Sequence, residues 1–341
     1  MKTILVTGGA GYIGNVLCEH LLNKGYRVIC CDRFYFGKES INRLIKNPNM
    51  SLLVADIRTL KDSSFKDVYA VLDLAGLSND PSCDLDEQLT KDINYHGGIN
   101  VATKAKKMGI KRYIYISSCS VYGANNTSGS IETSRLNPVS LYAKMKVKLE
   151  EKLEHLSDDS FCVTRLRLGT VYGLSARMRF DLIINIMTMH AITKGKIMIL
   201  GGGKQWRPLV HIGDVVRACL LVLESEISLV NNEVFNVGSN DQNFQVKTIA
   251  YLIKDYIKCD VEVIPADEDK RNYKGNFDKI TNSLGYKTNY KPDQAIRDIA
   301  TAIQHGRVDP DDIKTNTLYY YNYLINAHKT LKEVTINGKV F

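Results

Sequence analysis

Tyr142 and Lys146, in the run Tyr142-Ala143-Lys144-Met145-Lys146, stand four residues apart. On a helix they share one face, one turn apart, and can reach one ligand together. A phenol with an ordinary pKa of about 10 is a poor base at neutral pH. A nearby ammonium favours the phenolate, which makes proton exchange with a sugar or alcohol hydroxyl feasible. Lys146 can also bond a ribose. Of the 19 tyrosines, Tyr142 alone has a lysine four residues on. It follows the strand end Ser117-Ser118-Cys119-Ser120 at an interval that suits a strand and then a helix. The competing reading is a solvated basic helix face.

The elements that must position these groups begin at the N-terminus. Thr3 to Val6 is aliphatic and β-branched, as in a strand buried on both faces, while Ile13, Val16, Leu17, His20 and Leu21 recur at helical spacing. Between the two periods lies Gly8-Gly9-Ala10-Gly11-Tyr12-Ile13-Gly14. Gly8 permits a sharp turn, Gly11 lets backbone N–H groups approach a pyrophosphate, and Gly14 lets helix and strand pack closely, with the helix N-terminus facing the anion. A second strand, Tyr26 to Cys31, finishes on Asp32, about where a carboxylate meets an adenosine ribose. That carboxylate accepts from a free 2′-hydroxyl and repels a 2′-phosphate, so it favours NAD; the neighbouring Arg33 is the one residue that speaks for NADP.

Further strands are predicted over Ser51 to Val54, Ala70 to Leu74, Arg112 to Ile116 and Phe161 to Leu168, with helices near Asp92 to Met108 and Leu141 to Leu156. The alternation implies an α/β fold, a doubly wound parallel sheet covered on both faces, with ligand groups at the carboxyl ends of its strands. Asp56-Ile57, Leu74-Ala75-Gly76 and Ser117-Ser118 stand at those ends. After Gly173 the pattern is less regular, as a smaller second lobe would be. The tyrosine-rich stretch Thr315 to Lys329 reads as a helix packed on that lobe or as an oligomer contact.

The 341 residues, 44% of them hydrophobic, suffice for one large α/β unit and a smaller lobe, and no apolar run is long enough to span a membrane. The chain enters its first strand at once, which sets the expectation of no signal peptide and a cytoplasmic protein. Its eight cysteines are scattered apart from Cys30-Cys31 and lack zinc-type spacing, so reduced core residues and no metal are expected. A formal charge of +8 suits an anionic ligand. The basic residues are spread along the chain, which argues against a nucleic-acid partner.

Taken together, these motifs, with Asn94, Ser117-Ser118-Cys119-Ser120-Val121-Tyr122-Gly123 and Val171-Tyr172-Gly173, resemble the extended short-chain dehydrogenase/reductase family in its nucleotide-sugar epimerase/dehydratase branch. The resemblance runs to about Gly306. It implies a Rossmann-type NAD-binding domain over 1–173, with 212–239 returning to it, and a smaller C-terminal domain over 174–211 and 240–341 that holds a nucleotide-diphosphate sugar. It also implies a homodimer made through the helices Asp92 to Met108 and Leu141 to Leu156. Carried over residue by residue, Ser118 matches the hydroxyl that bonds the reacting group, Tyr142 the acid/base and Lys146 its partner. The cofactor set becomes Gly8, Gly11, Tyr12, Ile13, Gly14, Asp32, Asp56, Ile57, Leu74, Ala75, Gly76, Asn94, Tyr142 and Lys146. The signature Gly201-Gly202-Gly203-Lys204-Gln205-Trp206-Arg207 resembles the family's substrate-binding signature, and the segments Ser175 to Leu182 and Asp269 to Tyr273 resemble a subgroup of heptose and hexose nucleotide dehydrogenases and epimerases that act at C4. The resemblance as a whole implies substrate contacts from Ser118, Thr170, Arg179, Arg207 and Arg271, whose planar forks suit phosphate oxygens where they are arginine.

Departures from the family pattern bear on the reaction. The 4,6-dehydratases resemble Thr-Asp-Glu where this chain has Ser118, Cys119 and Ser120, so dehydration lacks its carboxylate pair. Cys119 resembles the cysteine of GDP-sugar epimerase-reductases, but Phe180-Asp181-Leu182 stands where their histidine would be, and a packed thiol is expected. Thr170 replaces a common asparagine, and Ser78 stands where the galactose epimerase has a cofactor-contacting lysine. The expected activity is NAD-dependent oxidation at C4 of a nucleotide-linked sugar with net epimerisation. The alternatives are a 4-dehydrogenase that releases a keto sugar, or a silent NAD-binding sensor or scaffold.

Overall fold

The computed structural model describes residues 1–124, 128–265 and 271–339. Six strands lie in the first half: β1 (Thr3–Thr7), β2 (Arg27–Asp32), β3 (Met50–Val54), β4 (Ala70–Asp73), β5 (Arg112–Ser118) and β6 (Cys162–Leu168). Six more follow: β7 (Thr170–Tyr172), β8 (Lys196–Leu200), β9 (Trp206–His211), β10 (Glu233–Val237), β11 (Asn243–Gln245) and β12 (Asp260–Ile264). Seven of them form one sheet in the order β10-β6-β5-β4-β1-β2-β3, parallel at every pairing. Successive residues point to opposite faces and both faces are covered. Ile4 and Val6 pack with Val28, Cys30, Leu72 and Ile114, whereas Leu5 packs with Cys31, Val71, Tyr113 and Tyr115 on the other side. All eight cysteines are free and buried.

The strand order reverses between β1 and β4, and there a crevice opens at the carboxyl ends. Gly8 makes the turn that leads into it at φ +66°, and an added Cβ would sit 3.0 Å from the Ala75 nitrogen. At Gly14 a Cβ would stand 2.1 Å from the Gly8 carbonyl oxygen, so only glycine lets the helix Tyr12–Asn23 begin so close to the turn.

A second layer covers the crevice. It holds a three-stranded sheet, β11-β9-β7, and a parallel pair, β12-β8, around a core that includes Tyr172, Ile184, Ile197, Leu209, Ile249 and Ile296. Between visits to this layer the chain returns to the large sheet. The helix Ile212–Glu224 packs on the helix Tyr12–Asn23, and β10 forms the sheet edge.

The helix predicted over Asp92 to Met108 is interrupted. A short helix Glu87–Lys91 passes into a widened π-helical turn, Asp92–Gly97, before the regular helix Gly98–Lys107. Here Asn94 accepts from the Leu77 N–H at 2.7 Å and donates to its carbonyl at 2.9 Å. Gly97 and Gly98 press on Ile57 and Leu149, so the helix can approach both neighbours. The other predicted strands and the helix Leu141–Leu156 hold to within two residues at each end, while the helix found in the tyrosine-rich stretch Thr315 to Lys329 runs five residues further. The C-terminal helix is Thr317–Val334, and it touches the short helix Asp80–Cys83. Among the described residues no helix is long and apolar enough to cross a membrane.

Candidate active site

A cavity of about 710 Å³ occupies the crevice. At its first end Gly8, Gly11, Tyr12, Ile13 and Gly14 form the floor. No side chain caps the helix Tyr12–Asn23, so its first N–H groups are left for an anion. Asp32 lines the same end, with its carboxylate accepting from the N–H groups of Ala10 at 3.1 Å and Phe34 at 2.7 Å. Burial pushes its pKa up, against those N–H groups. Arg33 is turned to Asp56, 2.6 Å away. Asp56 also receives the Arg58 guanidinium at 2.6 Å. Burial opposes its ionisation, but the bonds from Arg58 and Arg33 outweigh it and hold the carboxyl below the usual range. Asp56 and Ile57 line the cavity, as do Leu74, Ala75 and Gly76. Asn94 does not. It stands behind Gly76, bonded to Leu77, and fixes the wall from outside. Tyr12 reaches across the crevice, donating to the Gly173 carbonyl at 2.7 Å and accepting from Asn185 at 3.2 Å.

The other end is built by β5 and the helix Leu141–Leu156. Ser140 caps that helix, accepting from the Ala143 N–H at 3.2 Å while its own hydroxyl donates to Asp80. Tyr142 therefore lies in the first turn, with Lys146 one turn below it. Lys146 donates to the Ile116 carbonyl at 2.7 Å, and its Nζ lies 4.7 Å from the Tyr115 ring centroid and 5.6 Å from that of Tyr142. Burial lowers the Lys146 pKa to about 8. Burial raises that of Tyr142, and a hydrogen bond with Ser118 works in the opposite direction. Beneath them the buried Asp73 accepts from Thr7 and from Tyr113. Its own pKa is raised by burial.

The second layer adds Thr170, Arg179, Arg207 and Arg271 to the lining. Arg179 grips Asp181 through two bonds of 2.9 Å, and Asn79 donates to the same carboxylate at 2.5 Å. Arg207 donates to the Trp206 carbonyl at 2.8 Å and to that of Arg271. Arg271 pairs with Asp80 across the cavity. Asp269 and Lys270, quoted beside it in the sequence, lie outside the described residues. One cavity thus gathers every residue expected at the site except Asn94. Cys119 is a packed thiol whose Sγ–H meets the Arg167 carbonyl at 3.3 Å, with its pKa pushed up by burial. Ser120 lines the cavity with a buried hydroxyl that has no hydrogen-bond partner among the described residues.

The family model of the NAD dependent epimerase/dehydratase family matches residues 4–238. The chain belongs to that family. The chain is similar to the UDP-glucose 4-epimerase of Bacillus subtilis, 29% identical over 265 residues, which are 69% of this chain and 77% of the relative. A Methanocaldococcus jannaschii protein described as a candidate UDP-glucose 4-epimerase is 30% identical over 89% of this chain and 99% of its own length. The crystal structure of the Thermotoga maritima UDP-glucose 4-epimerase with UDP-glucose superimposes at a TM-score of 0.79, with 26% identity, over 90% of this chain and all of that one. A decarboxylase of UDP-N-acetyl-alpha-D-glucosaminuronate from Bacillus cytotoxicus also matches, at 25% identity over 82% of this chain and 88% of the relative.

The chain is an NAD-dependent enzyme of this family. Its crevice fits the dinucleotide on its own terms: glycines where a Cβ would collide, an uncapped helix N-terminus, and a carboxylate at the end of β2. Two groups on this cavity escaped the sequence reading. One is the Asp80 and Asp181 pair, which takes up two of the expected arginines. The other is Arg177 with Phe36 and Tyr321. The alternation Arg177-Met178-Arg179 was the available signal, since two arginines flanking an apolar residue suit a buried loop edge.

Proposed function

We propose that this enzyme oxidises O4 of a nucleotide-linked hexose and returns the hydride to the other face, so that the net reaction is epimerisation at C4. NAD, when bound, takes up the hydride and gives it back. Tyr142 accepts the hydroxyl proton and later restores it, with Ser118 orienting the hydroxyl. Lys146 supplies the positive charge that favours the phenolate. Arg207 and Arg271 are the cations offered to the diphosphate, Thr170 lies beside the sugar, and Arg179 acts there through its pairing with Asp181.

The observation that carries this reading is the Ser118, Tyr142 and Lys146 set facing a cavity that also holds the dinucleotide loop, with Cys119 and Ser120 where a dehydratase has its acid/base pair. Elimination of water needs a proton donor and a base at the positions of Cys119 and Ser120, and neither a packed thiol nor a hydroxyl supplies them. The same tyrosine serves both directions of a reversible transfer, so a single site suffices. The test begins with UDP-glucose and a panel of other nucleotide sugars, incubated with purified enzyme and no added cofactor, followed by proton NMR and mass spectrometry. A C4-inverted product of unchanged mass is expected, and none from Tyr142→Phe. Stoichiometric NADH with a keto sugar, loss of water or loss of carbon dioxide would each overturn the reading. NAD bound by both proteins with no turnover of any sugar would favour a sensor.

A further inference from the structure

Arg177 sits on the loop after β7 and is only 7% exposed. Its Nη2 donates to the Thr317 hydroxyl at 3.1 Å, and its Nη1 reaches the Met178 carbonyl at 3.5 Å. Its Nε is buried without a hydrogen-bond partner. Among the described residues no carboxylate pairs with it. A buried guanidinium with no carboxylate in contact is costly: burial pulls its pKa down to about 10, although Asp181 and Asp32 act on it from a distance. The side chain lines the cavity at the Asp32 end, with its Cζ 3.6 Å from the Phe36 ring centroid. Both the Asp32 carboxylate and the Tyr12 phenol feel its charge. It thus shares the cavity with the carboxylate expected at the ribose and the first residue of the helix expected at the pyrophosphate, and its charge reaches both.

What holds Arg177 there is the C-terminal helix. Phe36, from the loop after β2, packs on Tyr320 and Tyr321 at 5.1 and 5.4 Å between ring centroids, and Tyr35 meets Tyr321 edge-on at 6.3 Å. Further along, the helix touches Asp80–Cys83, the segment that follows β4. Since β1 lies between β2 and β4 in the sheet, the helix joins the loops on either side of the strand that carries the glycine turn.

The geometry points to Arg177 as a cofactor-binding residue, an arginine from the second layer that meets the pyrophosphate of NAD from the side opposite the glycine turn and is braced by the helix Thr317–Val334. The ligand chemistry is a diphosphate diester, whose oxyanions suit a planar guanidinium held only by the Thr317 hydroxyl and, at 3.5 Å, the Met178 carbonyl. The inference concerns the cofactor alone and does not depend on which sugar is turned over.

The test measures binding rather than turnover. Affinities of NAD, ADP-ribose and adenosine are compared for the wild-type enzyme, Arg177→Met and Arg177→Lys, with folding checked by circular dichroism. Loss of a charge-assisted hydrogen bond should weaken NAD and ADP-ribose by roughly tenfold or more in Arg177→Met and leave adenosine unchanged. Arg177→Lys, which keeps the charge but not the fork, should lie between, and it carries the test if the methionine variant does not fold. Tyr321→Ala should speed the release of bound NAD without altering adenosine binding. Unchanged NAD affinity, or equal weakening of adenosine, would overturn the assignment and leave Arg177 a brace between Phe36 and Thr317.

Discussion

Replacing Lys146 by methionine should abolish turnover and stabilise the fold. The lysine is 8% exposed, and its charged form is disfavoured by burial, so that its pKa falls from 10.5 to about 8. At about 1.36 kcal/mol per pH unit, that difference corresponds to roughly 3 kcal/mol against the folded state when the ammonium is charged in both states. Methionine escapes this cost and is close in length. Against the gain stands the charge-assisted bond to the Ile116 carbonyl at 2.7 Å, about 2 kcal/mol. The net expectation is about 1 kcal/mol of added stability at pH 7. The sign with pH follows from the lowered folded value. Below about pH 8 the wild-type protein carries the whole cost, and between pH 8 and 10.5 its folded state has already shed a proton that its unfolded state still holds. Wild-type stability therefore rises through that window, and the advantage of methionine fades. Guanidinium unfolding followed by circular dichroism at pH 7 and pH 10 reads both arms. A Lys146→Met protein less stable than wild type at pH 7, or an advantage that does not shrink by pH 10, would refute the reasoning.

Asp32→Ala should lower NAD affinity and relax discrimination against NADP by roughly tenfold, measured by calorimetric titration. Tighter NADP than NAD binding by the wild-type enzyme would mean that Arg33 governs the site despite its pairing with Asp56. The helices Gly98–Lys107 and Leu141–Leu156 pack side by side, and association of two copies through them should give light scattering about twice the 38.4 kDa chain mass. A single-chain mass at micromolar concentration would exclude that pairing.

The large sheet was legible because a buried parallel strand has a simple signature, a short aliphatic run ended by a small or polar residue. Thr3–Thr7 and Arg112–Ser118 show it plainly. The Tyr142 and Lys146 pair was legible because helical spacing alone places the two on one face. The π-turn at Asp92–Gly97 was not, because it is imposed from outside: Asn94 is drawn to both backbone groups of Leu77, a partner 17 residues away. Arg33 and Asp56 were individually visible, but not their mutual engagement, which needs β2 and β3 side by side. The Tyr-rich C-terminus was ambiguous for the same reason. An amphipathic helix declares that it packs, and only the fold brings Phe36 and Arg177 to it.

The two layers are tied across the cavity at both ends, and the ties differ in strength. At the cofactor end Tyr12 bonds the Gly173 carbonyl and Asn185, all buried, so parting the layers there would leave a phenol, a carbonyl and an amide unsatisfied. At the other end Asn79 donates to Asp181 at 2.5 Å, and a further tie is Arg271 to Asp80, with the arginine side chain 40% exposed and the aspartate 17%. A pair open to water on one side contributes about 1 kcal/mol or less. On the proposed reading, a nucleotide diphosphate can replace Asp80 as the partner of Arg271, so the incoming substrate offsets the cost of parting this tie. No such replacement exists for the Tyr12 contacts. On that reading the Arg271–Asp80 pair is a contact that gives way as the sugar nucleotide enters, whereas the buried Tyr12 contacts stay made.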